Sequence, residues 1–211
     1  METTAAPVSP YSGGASVALS VTDERELNHW WGIPVFGMMA RAFMAIPHFV
    51  VLNLMGIGLA IWAIIGWIWI LAFGRVPALA VKFLIEYVHR SSRIAGYILL
   101  MPGGYPPLEP GAPIPVNVDI YLESLQINRW WGIPIFGWLV RILVLIPQFI
   151  VLSFLIVGVV LSLLVLWIPV LLYGRYPDWA ASFYGTVLRY GVRLQAYLLF
   201  LPVPYPPFWP H

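Results

Sequence analysis

Asn28-His29-Trp30-Trp31-Gly32-Ile33-Pro34 returns one hundred positions later as Asn128-Arg129-Trp130-Trp131-Gly132-Ile133-Pro134. From there residues 28–107 align with 128–207 without a gap, and 30 of the 80 positions are identical. The register is held by Ile46-Pro47 against Ile146-Pro147, Gly74-Arg75-x-Pro77 against Gly174-Arg175-x-Pro177, and Tyr105-Pro106-Pro107 against Tyr205-Pro206-Pro207. Chance does not sustain one frame over that length, so the chain is two tandem homologous repeats. Residues 1–27 form a tail with a short strand, 108–127 a linker with another, and 208–211 an end piece. A device kept in both copies is architectural, whereas one found in a single copy is open to specialisation. No shared position has the look of a catalytic group.

Composition sets the class. The chain is 61% hydrophobic and 9% charged, against about 25% charged in a soluble domain. No Asp, Glu, Lys or Arg interrupts residues 42–74 or 142–174. A helix crosses a bilayer with about 20 apolar residues, so His48–Phe73 and Gln148–Tyr173 are each long enough. A soluble domain of this size has too little polar surface to hide two such helices. The expectation is an all-α integral membrane protein of the cell membrane, multi-pass. Met1–Ser20 has no basic start and no compact apolar stretch, and reads as a flexible tail rather than a cleavable signal. Without cysteine there is no disulfide, thiolate metal site or thiol nucleophile. A net charge of +2 does not argue for nucleic acid.

Each repeat reads as four pieces. Ser16–Val21 and Val116–Tyr121 alternate as half-buried strands do, more cleanly in the second copy. Trp-Trp-Gly then leads into Ile33–Ile46 or Ile133–Ile146, which hold Arg41 and Arg141 at matched positions. Pro47 or Pro147 kinks or breaks the chain before the long apolar run. A Gly-Arg-x-Pro turn opens a last helix, Ala78–Met101 or Asp178–Leu201. On it Lys82, Glu86, His89 and Arg93 match Ser182, Thr186, Arg189 and Arg193, spaced 4, 3 and 4 apart and therefore on one stripe. This striped helix fits two arrangements: one lying in the headgroup region, the other a return crossing with its stripe against that of the other copy. If the two strands pair, both copies start on one side, which favours an even number of crossings per repeat. The expectation is four transmembrane helices with short interfacial helices. Arg25, Arg129 and snorkelling Arg41 and Arg141 put both termini in the cytoplasm.

The residues offer little chemistry. His48 is replaced by Gln148 and His89 by Arg189, so no histidine pair repeats to hold a tetrapyrrole. His-Glu-x-x-His, Gly-x-Ser-x-Gly and paired carboxylates within a span are all missing. The reading is not an enzyme, with no cofactor and no metal site. Trp30, Trp31, Trp130 and Trp131 stand where amphipathic rings anchor at headgroups.

Several of these residues resemble the bacterial membrane proteins called domain of unknown function 4389. The resemblance rests on Arg129-Trp130, Ile146-Pro147, Gly174-Arg175-Tyr176-Pro177, Leu188-Arg189, Arg193, Ala196-Tyr197 and Tyr205-Pro206-Pro207-Phe208, once per repeat. The copies depart from it at Gln148, where Pro47-His48 keeps a histidine, at Val76 and at Leu108. The family carries no established activity, so the resemblance implies a membrane protein and no mechanism. Two functional classes follow. The first is a non-catalytic scaffold or accessory subunit of a larger membrane assembly, docking through Trp-rich spans and the tail Tyr205, Pro206, Pro207, Phe208 and Trp209. The second is an anionic-lipid-binding or membrane-shaping protein, with a transporter less favoured. The expected partners are membrane lipids and other membrane protein subunits. Contacts are assigned to Arg41, Arg141, Arg93, Arg189, Arg193, Trp30, Trp31, Trp130 and Trp131.

Overall fold

A computed structural model describes residues 15–21, 26–33, 35–102, 104–106, 116–133 and 135–208. The tail before residue 15, Arg25 and Trp209 lie outside the described residues. The order is β1 (Ser16–Val21), a 3-10 turn (His29–Gly32), α1 (Phe36–Met44), α2 (Ile46–Phe73) and α3 (Ala78–Ile98). The second copy follows as β2 (Val116–Tyr121), a 3-10 turn (Arg129–Gly132), α4 (Phe136–Tyr173) and α5 (Asp178–Leu198). The two alternating stretches are strands over the residues expected.

Local sequence explains the boundaries. Asn28 and Asn128 cap the Trp-Trp turns, each side-chain oxygen accepting from the Trp30 or Trp130 amide at 3.1 Å. Gly74 and Gly174 close α2 and α4 in the left-handed region, φ 62° and 60°, which glycine enters without a Cβ penalty. Pro77 and Pro177 then stand at the helix starts, where a missing N–H costs nothing. The helix breaks at Ala45 before Pro47, but α4 runs on through Pro147 and Pro169. Of the two prolines expected to kink or break the chain, Pro47 follows a break and Pro147 lies inside a continuous helix.

β1 and β2 pair antiparallel, Ser16 with Tyr121 through to Val21 with Val116. Exchanging the copies turns the first of these pairs into the last, so a pseudo-two-fold axis pierces the sheet. Other contacts obey it. Leu27 N donates to Gly174 O at 2.8 Å and Ile127 N to Gly74 O at 3.0 Å. A Cβ on Gly32 would lie 2.3 Å from Leu171 N, and one on Gly132 2.5 Å from Leu71 N. Each Trp-Trp turn is thus seated on the far end of the other copy's long helix, where only glycine lets the backbones meet.

Helix directions follow. Ala45 packs with Ile94 and Tyr97, and Ile70 with Val76, Val81 and Leu84, so α3 runs back along α2. Tyr176 before α5 donates to Leu99 O beyond α3 at 3.0 Å, and Ser91 on α3 meets Gln195 on α5. α3 and α5 are antiparallel, and so are α2 and α4. The two copies therefore run in opposite directions although their strands pair, a combination not foreseen in favouring an even count of crossings. The result is three layers. The sheet turns Val17, Leu19, Val118 and Ile120 onto α3 and α5. Those helices bury their apolar stripes against α2 and α4, whose outer sides are bare. Among the described residues two helices, α2 and α4, are long and apolar enough to cross a membrane. That is two where four were expected, because the polar stripes of α3 and α5 leave those helices too little apolar to count.

Candidate functional site

Arg41 and Arg141 turn inward. They are 2% and 3% exposed. Arg41 Nη1 donates to Tyr97 O at 3.0 Å and Met101 O at 3.2 Å, and Arg141 Nη1 donates to Tyr197 O. Leu100 and Phe200, left-handed at φ 61° and 63°, reverse the chain after α3 and α5. The Met101 amide then returns to Gly96 O at 3.1 Å, which leaves the last carbonyls facing the guanidinium. Aromatic faces complete the cage: the Arg41 carbon sits 4.8 Å from Trp31, and that of Arg141 4.9 Å from Trp131 and 4.2 Å from Phe200. Both arginines clamp α3 or α5 to the start of the long helix. Their Nη1 groups are engaged inside the protein, on carbonyls at the end of α3 or α5. Trp31 and Trp131 belong to the same clamp, whereas Trp30 and Trp130 are 69% and 71% exposed.

The remaining predicted contacts divide. Arg93, Arg189 and Arg193 are half-buried on the stripe, where Arg90 pairs with Glu86 at 2.7 Å. Much of the tail is engaged. Tyr205 donates to Val144 O at 3.1 Å, and Gln148 donates to Tyr205 Oη at 3.2 Å and Pro206 O at 2.9 Å. Pro207 and Phe208 remain exposed.

The outer faces of α1, α2 and α4 form the largest feature. Met39, Phe43, Val50, Leu54, Ile57, Ile61 and Ile64 are exposed along the first copy. Leu139, Leu143, Ile150, Phe154, Val157, Leu161 and Leu164 are exposed along the second. No charged side chain lies on this face, and its polar groups are satisfied locally. Asn53 and Ser153 bond back to Phe49 O and Phe149 O at 2.8 and 2.7 Å. Among the described residues no group of three acidic or histidine side chains could hold a metal.

Two cavities lie along the seam where α2 ends against the second Trp-Trp turn. One, about 770 Å³, is apolar and lined by Trp62, Gly66, Trp67, Trp131, Trp138 and Phe200 among others. The other, about 760 Å³, is polar and formed by Gly74, Arg75, Gln126, Asn128 and Arg129 with their neighbours. Sequence reasoning gave no ligand role to Arg75 or Arg129, although the doubled Gly-Arg turn and the Arg before Trp130 are visible in it.

The family model for domain of unknown function 4389 (DUF4389) matches residues 37–108 and 137–210, one match per repeat. Those matches cover well over half of the chain, which therefore belongs to that family. No curated protein and no solved structure matches it.

Proposed function

We propose that the chain is a non-catalytic, lipid-binding and membrane-shaping protein that lies flat in one leaflet. The observation that carries this reading is the bare apolar face and its length. α4 has 38 residues, about 57 Å at 1.5 Å per residue, and exposed apolar side chains reach both of its ends. Fitting that length into about 30 Å of hydrocarbon needs a tilt of about 58°, outside the usual 0–40°. The sheet argues the same way. With antiparallel copies spanning, the pseudo-two-fold axis would lie in the bilayer midplane, as in inverted repeats, and carry the sheet with it. A two-stranded sheet has an unpaired edge on each strand, and Asn117 and Ser20 on its outer side are exposed. Each unsatisfied backbone group in hydrocarbon costs several kcal/mol. Lying flat turns the axis along the membrane normal. The sheet then meets water, α2 and α4 sink into acyl chains, and Trp30 and Trp130 share one depth at the headgroups. An excess of basic side chains favours the anionic cytoplasmic leaflet, which keeps both termini on the cytoplasmic side.

Single cysteines test this cleanly in a chain that has none. Spin labels at Met39→Cys, Ile57→Cys and Phe73→Cys in reconstituted vesicles should report one common depth. Asn117→Cys should react with a membrane-impermeant maleimide. Shallow ends around a deep centre, with Asn117→Cys protected, would replace the flat arrangement by a span. Water exposure at all three α2 sites would sink the lipid-facing reading itself. Trp30 and Trp130 favour a second reading, the accessory subunit, because exposed tryptophan is enriched at interface hot spots. A stoichiometric protein retained on native membrane discs would promote it.

A further inference from the structure

We infer that the seam between α2 and the second Trp-Trp turn is a binding site for one anionic phospholipid, its phosphate held by Arg75 and Arg129. This rests on the lipid-facing reading and names its ligand. The two cavities run end to end along α2: Trp67 and Ile70 line the apolar one, Ala72 and Phe73 the polar one. The turn continues the sequence, with Trp131 in the apolar cavity and Arg129 in the polar one. Gly132, tight against Trp67 O and Leu71 N, marks the join. An amphiphile has this division, an acyl chain among tryptophan rings and a charged head beyond them. Both volumes fall within the 300–1,000 Å³ common for ligand pockets, roughly.

Charge selects the head. Arg75 and Arg129 both line the polar cavity, and among the described residues no carboxylate lines it. Arg129 lies along Gly74, and Arg75 is held by its backbone bridge to Gln126. A phosphate oxygen between two guanidiniums gains charge-assisted hydrogen bonds that a zwitterionic head shares with its own cation. The pseudo-equivalent place in the other copy is different. There Arg175 bridges to Glu26 in place of glutamine, and His29 stands for Arg129. Its apolar half is closed as well: fully buried Leu166 occupies the position of Gly66. One site per chain follows, at one end of a nearly symmetric body.

The test uses full-length protein in mild detergent, titrated with dioleoyl phosphatidylglycerol or dioleoyl phosphatidylcholine and read by native mass spectrometry. One phosphatidylglycerol should bind at least tenfold more tightly than phosphatidylcholine, and less tightly as salt rises. Arg75→Gln with Arg129→Gln should abolish the preference, while Arg175→Gln should leave it intact. Gly66→Leu should weaken both lipids alike. Inorganic phosphate at the same concentration should not displace the lipid; if it does, the site is for a free anion and not for a phospholipid. Equal affinity for the two lipids, or an unchanged preference in the double variant that still melts like wild type, would overturn the proposal. No preference in the wild-type chain with the common label depth retained sinks the site alone, whereas a wild-type preference without the common depth sinks the flat arrangement alone.

Discussion

The two copies share a frame and differ in what fills it. Trp-Trp-Gly, the inward arginine and the Gly-Arg-x-Pro turn recur: the two turns meet across the pseudo-two-fold axis, and each arginine makes its contact within its own copy. Between the helices the copies part. Trp62 and Gly66 leave a groove on one side, whereas Ser162 bonds Tyr184 Oη at 2.9 Å and Leu166 packs the other side shut. His48 lies against the Tyr105 ring at 4.9 Å, with its buried Nε2 unpartnered among the described residues. Its counterpart Gln148 is bonded by Tyr190 and bonds Pro206. Frame residues are held by backbone geometry and admit few alternatives. Filling residues have only volume and polarity to satisfy, so one copy can change them and keep the fold.

The largest expected effect tests the frame. Arg41→Leu takes away the donor to Met101 O, and Arg41→Leu and Arg141→Leu each remove a charged donor from Tyr97 O or Tyr197 O, which keep the amides of Leu100 or Phe200 at 3.2 Å. A hydrogen bond to a charged group contributes about 1.5–3 kcal/mol. Both variants should lose roughly 3 kcal/mol of stability in detergent unfolding. If one copy tolerates the change while the other collapses, the clamps are not equivalent. Lysine should not rescue either, because a point charge cannot reproduce the planar stack on Trp31 or Trp131.

A smaller contrast tests the filling. Leu166→Gly should cost about 3 kcal/mol through the cavity it opens. Trp62→Ser with Gly66→Leu, which copies the second repeat into the first, should stay within about 1 kcal/mol of wild type. Gly66→Leu alone fares worse, since a Cβ there would sit 2.8 Å from the Trp62 indole. A destabilising double variant and a silent Leu166→Gly would reverse the assignment of open and closed sides.

The smallest effect separates His89 from Arg189. Burial, reinforced by Arg93, holds His89 below its ordinary 6.5, while the Val118 backbone, Glu86 and the Asp119 carboxylate pull the other way. The folded chain then binds fewer protons here than the unfolded one. Its stabilising contribution is complete above 6.5 and is lost as pH falls through the lowered value. The melting temperature should drop on acidification below pH 6.5, and His89→Gln should flatten that limb. An unchanged slope in His89→Gln would assign the acid sensitivity to another group.

Much of the frame was legible in the sequence. Alternation gave both strands, the Gly-Arg-x-Pro turns gave the starts of α3 and α5, and charge-free runs gave α2 and α4. Arg41 and Arg141 were visible as matched positions, but their partners within the fold were not. A lone charge in an apolar segment suggested a headgroup, whereas its partners are carbonyls 56 residues away. Ile-Pro stands at both places, yet the helix breaks before Pro47 and runs on through Pro147. Arg75 and Arg129 meet only because the second copy begins where α2 ends.

By itself, then, the sequence determined two copies, their elements and the apolar class, since periodicity and composition act over a few residues at a time. Tertiary structure alone decided that the copies run in opposite directions, that one face is bare and that one seam stays open. Those properties depend on which surfaces meet across a hundred residues. An internal repeat states that two units are alike; the antiparallel ladder fixes the symmetry that relates them.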